Sequence, residues 1–225
     1  MEITLKVLLF IHVLAGFIAL LAGAIAVVTK KGGTAHRKWG MVYFWGMLVV
    51  FITAVILSTF KFIPFLFMIA FFSFYQVFSG YRILFLKQLY SDQKPKWIDW
   101  LSAGISLCSS ILFMVWGGYH LVEHPASFFP KLAIGFGVGG ILITYTNTKP
   151  FFIKPKNKQF WWFHHLNNMM GGLIATTTAF STTIFGILEI NSVFVWLWPT
   201  LIGVPLIRWW NRSYRKKFDR QLAVA

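Results

Sequence analysis

Twenty-two consecutive residues, Val7 to Val28, carry no Asp, Glu, Lys or Arg, and another 22, Trp39 to Phe60, carry none either. A span of the bilayer's hydrocarbon takes roughly 20 mostly apolar residues in a helix. Backbone polar groups have no partner in lipid, so each such segment must satisfy its own by coiling into a helix. Five further segments have this character. The spans read from the sequence are residues 5–28, 39–60, 64–86, 98–121, 127–146, 160–188 and 193–210, followed by a basic tail over 211–225. The fold class is therefore all-α: a polytopic membrane bundle of about seven helices in a single transmembrane domain. The apolar core of the fifth span, Leu132 to Tyr145, is short and Gly-rich. It crosses only if it begins near Ser127 and Lys131 snorkels outward. Pro199 and Pro205 are expected to kink the seventh.

Composition agrees. Of 225 residues 57% are hydrophobic and 12% charged, about half the charged fraction of a soluble domain. A transmembrane barrel would show short segments of alternating polarity, and the chain has none. The one cysteine, Cys108, forms no internal disulfide and belongs to no Cys-x-x-Cys motif.

The net charge of +15 does not point to nucleic acid, because the charge lies between the apolar segments. Lys30, Lys31, Arg37 and Lys38 follow the first span. Arg82, Lys87, Lys94 and Lys96 follow the third, and Lys149, Lys154, Lys156 and Lys158 the fifth. Arg208, Arg212, Arg215, Lys216, Lys217 and Arg220 end the chain. Only Lys6, Lys61 and Lys131 fall on the other side, and cytoplasmic loops are the ones enriched in Lys and Arg. The expected topology has the N-terminus outside and the C-terminus in the cytoplasm. The first apolar run is longer than a signal-peptide core and its positive charge comes after it, so a retained helix is expected.

No loop exceeds about a dozen residues, so function is sought inside the bundle. All six acidic residues (Glu2, Asp92, Asp99, Glu123, Glu189 and Asp219) fall at or beyond span ends. That disfavours a proton-coupled transporter, which relays through buried acids. Asp99 is placed to pair with Arg82 or Arg37. Neither a His-Glu-x-x-His motif nor a Gly-x-Ser-x-Gly elbow is present.

The histidines are the sharper signal, because an intramembrane His is costly. His12 lies about 10 Å into the first helix, and steps of three or four from it give Ala15, Gly16, Ala19, Gly23 and Ala26. The same steps from His165 give Asn168, Met169, Gly172, Thr176, Ala179 and Thr183. Small residues let helix backbones approach each other, and Gly135-x-x-x-Gly139 in the fifth span is of that kind. A His heading such a stripe also suits a flat haem b with an imidazole axial ligand. On that reading Gly16, Ala19, Gly23, Met169, Gly172 and Thr176 line a slot. A bis-His haem needs ligands at one depth on different helices. His36 with His165 meets this on the inner side and His12 with His120 on the outer. His12 and His165 differ by roughly 15 Å along the membrane normal and do not pair. Two sites, one per leaflet, would make an electron path. The hydroxyl run Thr176, Thr177, Thr178, Ser181, Thr182 and Thr183 either bonds back to helix carbonyls or lines a wet path.

The segment from His12 to Tyr43, "HVLAGFIALLAGAIAVVTKKGGTAHRKWGMVY", resembles the N-terminal part of the bacterial membrane proteins of domain-of-unknown-function family 2306. The segment "HLNNMMGGLIATTTAF", His165 to Phe180, is similar to that family's late helix, and "FFSFYQVFSGYR", Phe71 to Arg82, to a subgroup. These blocks cover about a quarter of the chain. Leu173 stands where the family often has Tyr. The resemblance implies a polytopic protein of the bacterial inner membrane, points to His12, His36 and His165, and implies no activity. A looser analogy links paired histidines in a small bundle to two-haem membrane cytochromes.

The leading functional reading is a b-type haem protein, at most oxidoreductase-like, moving electrons in the membrane with a redox partner or quinone. A small-solute or ion permease and a structural subunit without catalysis stay open beside it, as does a homo- or hetero-oligomeric state.

Overall fold

The computed structural model describes residues 2–61, 64–190 and 192–223. Met1 and the last two residues of the tail read from the sequence lie outside them. Seven α-helices follow in order: α1 Glu2–Val28, α2 Thr34–Lys61, α3 Pro64–Arg82, α4 Trp97–Glu123, α5 Phe128–Phe152, α6 Phe160–Ile187 and α7 Val193–Ala223. A single 3-10 turn, Ile83–Phe85, follows α3. Each helix has a stretch long and apolar enough to cross a membrane. Among the described residues there is no strand.

Helices α3 and α6 form the centre. The α1–α2 hairpin packs on one side of them through both, and the α4–α5 hairpin on the other through α3. Helix α7 lies against α6. The largest core cluster joins Ala19 and Ala22 of α1, Tyr43, Phe44 and Met47 of α2, and Val77 of α3. Large apolar side chains turned outward, such as Phe10 and Phe17 on α1, Leu112 and Val115 on α4, and Leu201 and Ile202 on α7, form the surface that lipid covers. Cys108 is exposed on that surface.

Small residues set the closest helix contacts, on a different face of α5 from the one expected. A Cβ at Gly135 would meet nothing within 4 Å, and at Gly139 only Phe72, at 3.8 Å. The glycines of α5 that touch α4 are Gly137, against Ser110 and Met114, and Gly140, against Ser110. The reason is helical phase. Gly137, Gly140, Thr144 and Asn147 recur at steps of three and four and are all buried. Burying Thr144 and Asn147 away from lipid fixes which glycines face inward, and Gly135 and Gly139 are left on other faces.

Three boundaries also differ from the sequence reading. Helix α2 starts at Thr34 instead of residue 39, so His36 sits in its first turn. Helix α5 is a full 25 residues, because its polar last turns continue the helix beyond the apolar core. Helix α7 runs through Pro199 and Pro205 unbroken and carries the basic tail as far as Ala223. There the tail docks on the start of α6: the Tyr214 ring lies 4.0 Å from that of Trp162, and Phe218 edges against both Trp162 and Phe163.

Candidate functional site

The turn between α1 and α2 builds the first half of the site. Gly32 adopts φ +76°, where side chains are strained, and the Gly33 N–H donates to the Lys30 carbonyl at 3.0 Å. The chain thus reverses within a few residues and brings the start of α2 onto the end of α1. Lys31 donates to the Ala26 and Val27 carbonyls, two of the acceptors that a helix end leaves without partners. Its ammonium also lies 4.9 Å from the centre of the Trp210 ring. Burial pushes the Lys31 pKa below its ordinary value.

His36 Nδ1 meets the Ala26 carbonyl oxygen at 2.9 Å. His165, in the second turn of α6, places its Nδ1 2.8 Å from the Gly80 carbonyl oxygen of α3. A carbonyl oxygen only accepts, so each Nδ1 must carry the proton and each Nε2 is left with a bare lone pair. Among the described residues neither Nε2 has a hydrogen-bond partner. The two rings come from different helices, with centroids 6.2 Å apart and planes at 78°. An imidazole nitrogen with a bare lone pair is a possible ligand for haem iron. Anchoring of Nδ1 on a carbonyl is also what fixes the ligating tautomer in metal sites.

The stripes below these histidines are filled by packing. A Cβ at Gly23 would meet Leu173 at 2.7 Å and Tyr43 at 3.2 Å. At Gly172 it would run into Val77 and the Tyr43 hydroxyl, and at Gly16 it would touch Val50. Ala19 is fully buried against Gly46. Met169 lies against Gly80, and Thr176 donates to the Gly172 carbonyl at 2.8 Å. Thr177, Thr178, Thr182 and Thr183 likewise donate to carbonyls of their own helix, so these hydroxyls are spent on the backbone.

The other pair does not form. His12 Nδ1 bonds the Thr53 hydroxyl at 2.9 Å. His120 lies 3.3 Å from a Glu123 carboxylate oxygen and 4.7 Å from the Trp116 ring. Helices α1 and α4 share no substantial interface, being on opposite sides of α3 and α6. His164 faces the Ser79 hydroxyl at 3.1 Å, and His124 ends α4.

Of the two partners weighed for Asp99, Arg82 is the one it meets. Arg82 Nε and Nη2 donate to the two carboxylate oxygens at 2.7 and 3.0 Å. The Lys96 N–H adds a third donor at 2.8 Å. Asp99 is only 4% exposed, and a forked, charge-assisted set of donors is what permits that.

Sequence reasoning did not single out a polar seam joining α4, α5 and α6. Asn147 and Asn168 exchange amide hydrogen bonds at 2.8 and 2.9 Å. Asn168 also donates to the His164 carbonyl at 3.0 Å, and Ser106 bonds Thr144 across α4 and α5 at 2.8 Å. The available signal was Asn147, a polar residue on the buried face of a Gly-rich span. The chain matches no family model, no curated protein and no solved structure, so its own residues carry the functional reading.

Proposed function

We propose that this multi-pass membrane protein binds haem b through His36 and His165 and transfers electrons in the membrane, with a quinone or redox protein as partner. The observation that carries this reading is the pair itself: two imidazoles from α2 and α6, 6.2 Å apart, each with Nδ1 tied to a carbonyl. The resemblance to domain-of-unknown-function family 2306 points to these two residues together with His12.

The donor set fits an iron with two nitrogen ligands. The lining expected of a haem slot fits less well, because Leu173, Tyr43 and Val77 occupy the space over Gly23 and Gly172. By contrast, a Cβ at Gly40, one turn along α2 from His36, would meet nothing within 4 Å. Bound haem would supply a one-electron couple. The protein's part is to orient the imidazoles through the Ala26 and Gly80 carbonyls and to place the Lys31 cation nearby. With His12 and His120 apart, the reading reduces to one centre, near the basic end of the bundle.

The test is the absorption spectrum of detergent-purified protein after haem supplementation. A Soret band is expected that His36→Ala and His165→Ala each abolish and His12→Ala leaves unchanged. A colourless protein, or a spectrum indifferent to both ligand substitutions, removes the reading.

A further inference from the structure

Beside the histidine pair, at the basic end, a groove of about 570 Å³ opens between α3, α5 and α6. That is within the size range of small-molecule sites, roughly 300–1,000 Å³. Its inner wall carries Gln76, Asn147 and Asn168, its mouth Lys149, Lys154 and Lys156, and its apolar side Ile143, Ile153 and Phe160. None of its lining residues is acidic.

Gln76 is 6% exposed and lines the groove, and among the described residues its amide makes no hydrogen bond. Asn147 and Asn168, close by, satisfy one another. The Gln76 side chain is held against Gly171, where a Cβ would overlap the amide oxygen. A glycine there makes the room that this amide occupies, and the amide faces the groove. At the mouth, Lys154 is paired with Asp92 at 3.1 Å, and that contact holds the Asp92 carboxyl below its usual range. Lys149 and Lys156 remain as the net positive charge of the rim.

We propose that this groove binds a polyol phosphate. The phosphate sits among the rim lysines, and a hydroxyl meets the Gln76 amide, which both donates and accepts. That chemistry comes from two sources: the headgroup of phosphatidylglycerol, or a soluble polyol phosphate. The site does not depend on the histidine pair.

Two arms separate the sources. Glycerol phosphate is titrated calorimetrically into the full-length protein in detergent. In parallel, native mass spectrometry measures lipid retained from nanodiscs of phosphatidylglycerol mixed with phosphatidylcholine. Binding in the first arm identifies a soluble ligand, and selective retention of phosphatidylglycerol alone identifies a lipid site. In whichever arm binds, Gln76→Leu is expected to weaken it about tenfold, the loss of about one hydrogen bond. Lys149→Met with Lys156→Met, both at exposed positions, is expected to do the same, and it decides the matter if Gln76→Leu fails to fold. No binding in either arm, or binding that the lysine variant leaves unchanged, overturns the proposal.

Discussion

Asp99 shows how one residue's chemistry dictates its surroundings. A carboxylate this deeply buried survives only with its charge answered, and Arg82 with the Lys96 N–H answers it. Removing one partner leaves the other charge stranded, at a cost of about 3–5 kcal/mol. Asp99→Asn is therefore expected to lower the thermal midpoint of the purified protein sharply, while Asp99→Leu combined with Arg82→Met recovers much of the loss. An equally large drop in the double variant would show that the pair's geometry, rather than stranded charge, holds this corner. His12 is a milder case. Its partner Thr53 already donates to the Val49 carbonyl at 2.7 Å, so His12→Phe should cost about 1 kcal/mol, measured as the same midpoint. The Arg82–Asp99 contact and the His36–His165 convergence were legible in the sequence because opposite charge and helical depth can be read from residue spacing. That Asn147 and Asn168 would exchange hydrogen bonds was not. Their 21-residue separation crosses a loop whose path sets the register of α5 against α6.

At the level of helices, small residues decide proximity, but only those on the right face. Helix α5 distinguishes the two cases. Gly137→Val would push a side chain into Ser110 and Met114, an overpacking expected to cost about 1–3 kcal/mol. Gly135→Val, two residues away, meets open space and is expected to leave stability nearly unchanged. Equal losses in the two variants, followed by thermal unfolding, would mean that the α4–α5 interface lies elsewhere. Apolar length revealed six of the helices, and the basic loop after the short fifth run, read with the charge bias, supplied the seventh. Neither revealed their phase, because an all-round apolar helix has no solvent face to mark inside from outside. Rotation is set by the polar groups that must be kept from lipid. The same blindness explains the stripes below His12 and His165: small residues admit a flat cofactor or a neighbouring side chain equally well, and here Leu173, Tyr43 and Val77 fill them.

For the molecule as a whole, the asymmetry of charge predicts its orientation. With an exposed Cys108 replaced by Ala, single cysteines at Ser91 and Asn157 should resist a membrane-impermeant maleimide in intact cells and react only after permeabilisation. One at Ser127 should react at once. The reverse pattern would invert the topology drawn from the basic loops. Helix α6 carries Asn168 and one of the paired imidazoles, α5 supplies Asn147 to the polar seam, and the outer faces of α1, α4 and α7 supply the greasy exterior. The seventh helix has a mechanical corollary. It leaves the bundle as a continuous rod, with Tyr214 and Phe218 seated on Trp162 and Phe163, within three residues of His165. Those ring contacts tie the last turns of α7 to the turn of α6 that leads into His165, so the tail and the imidazole share one anchorage.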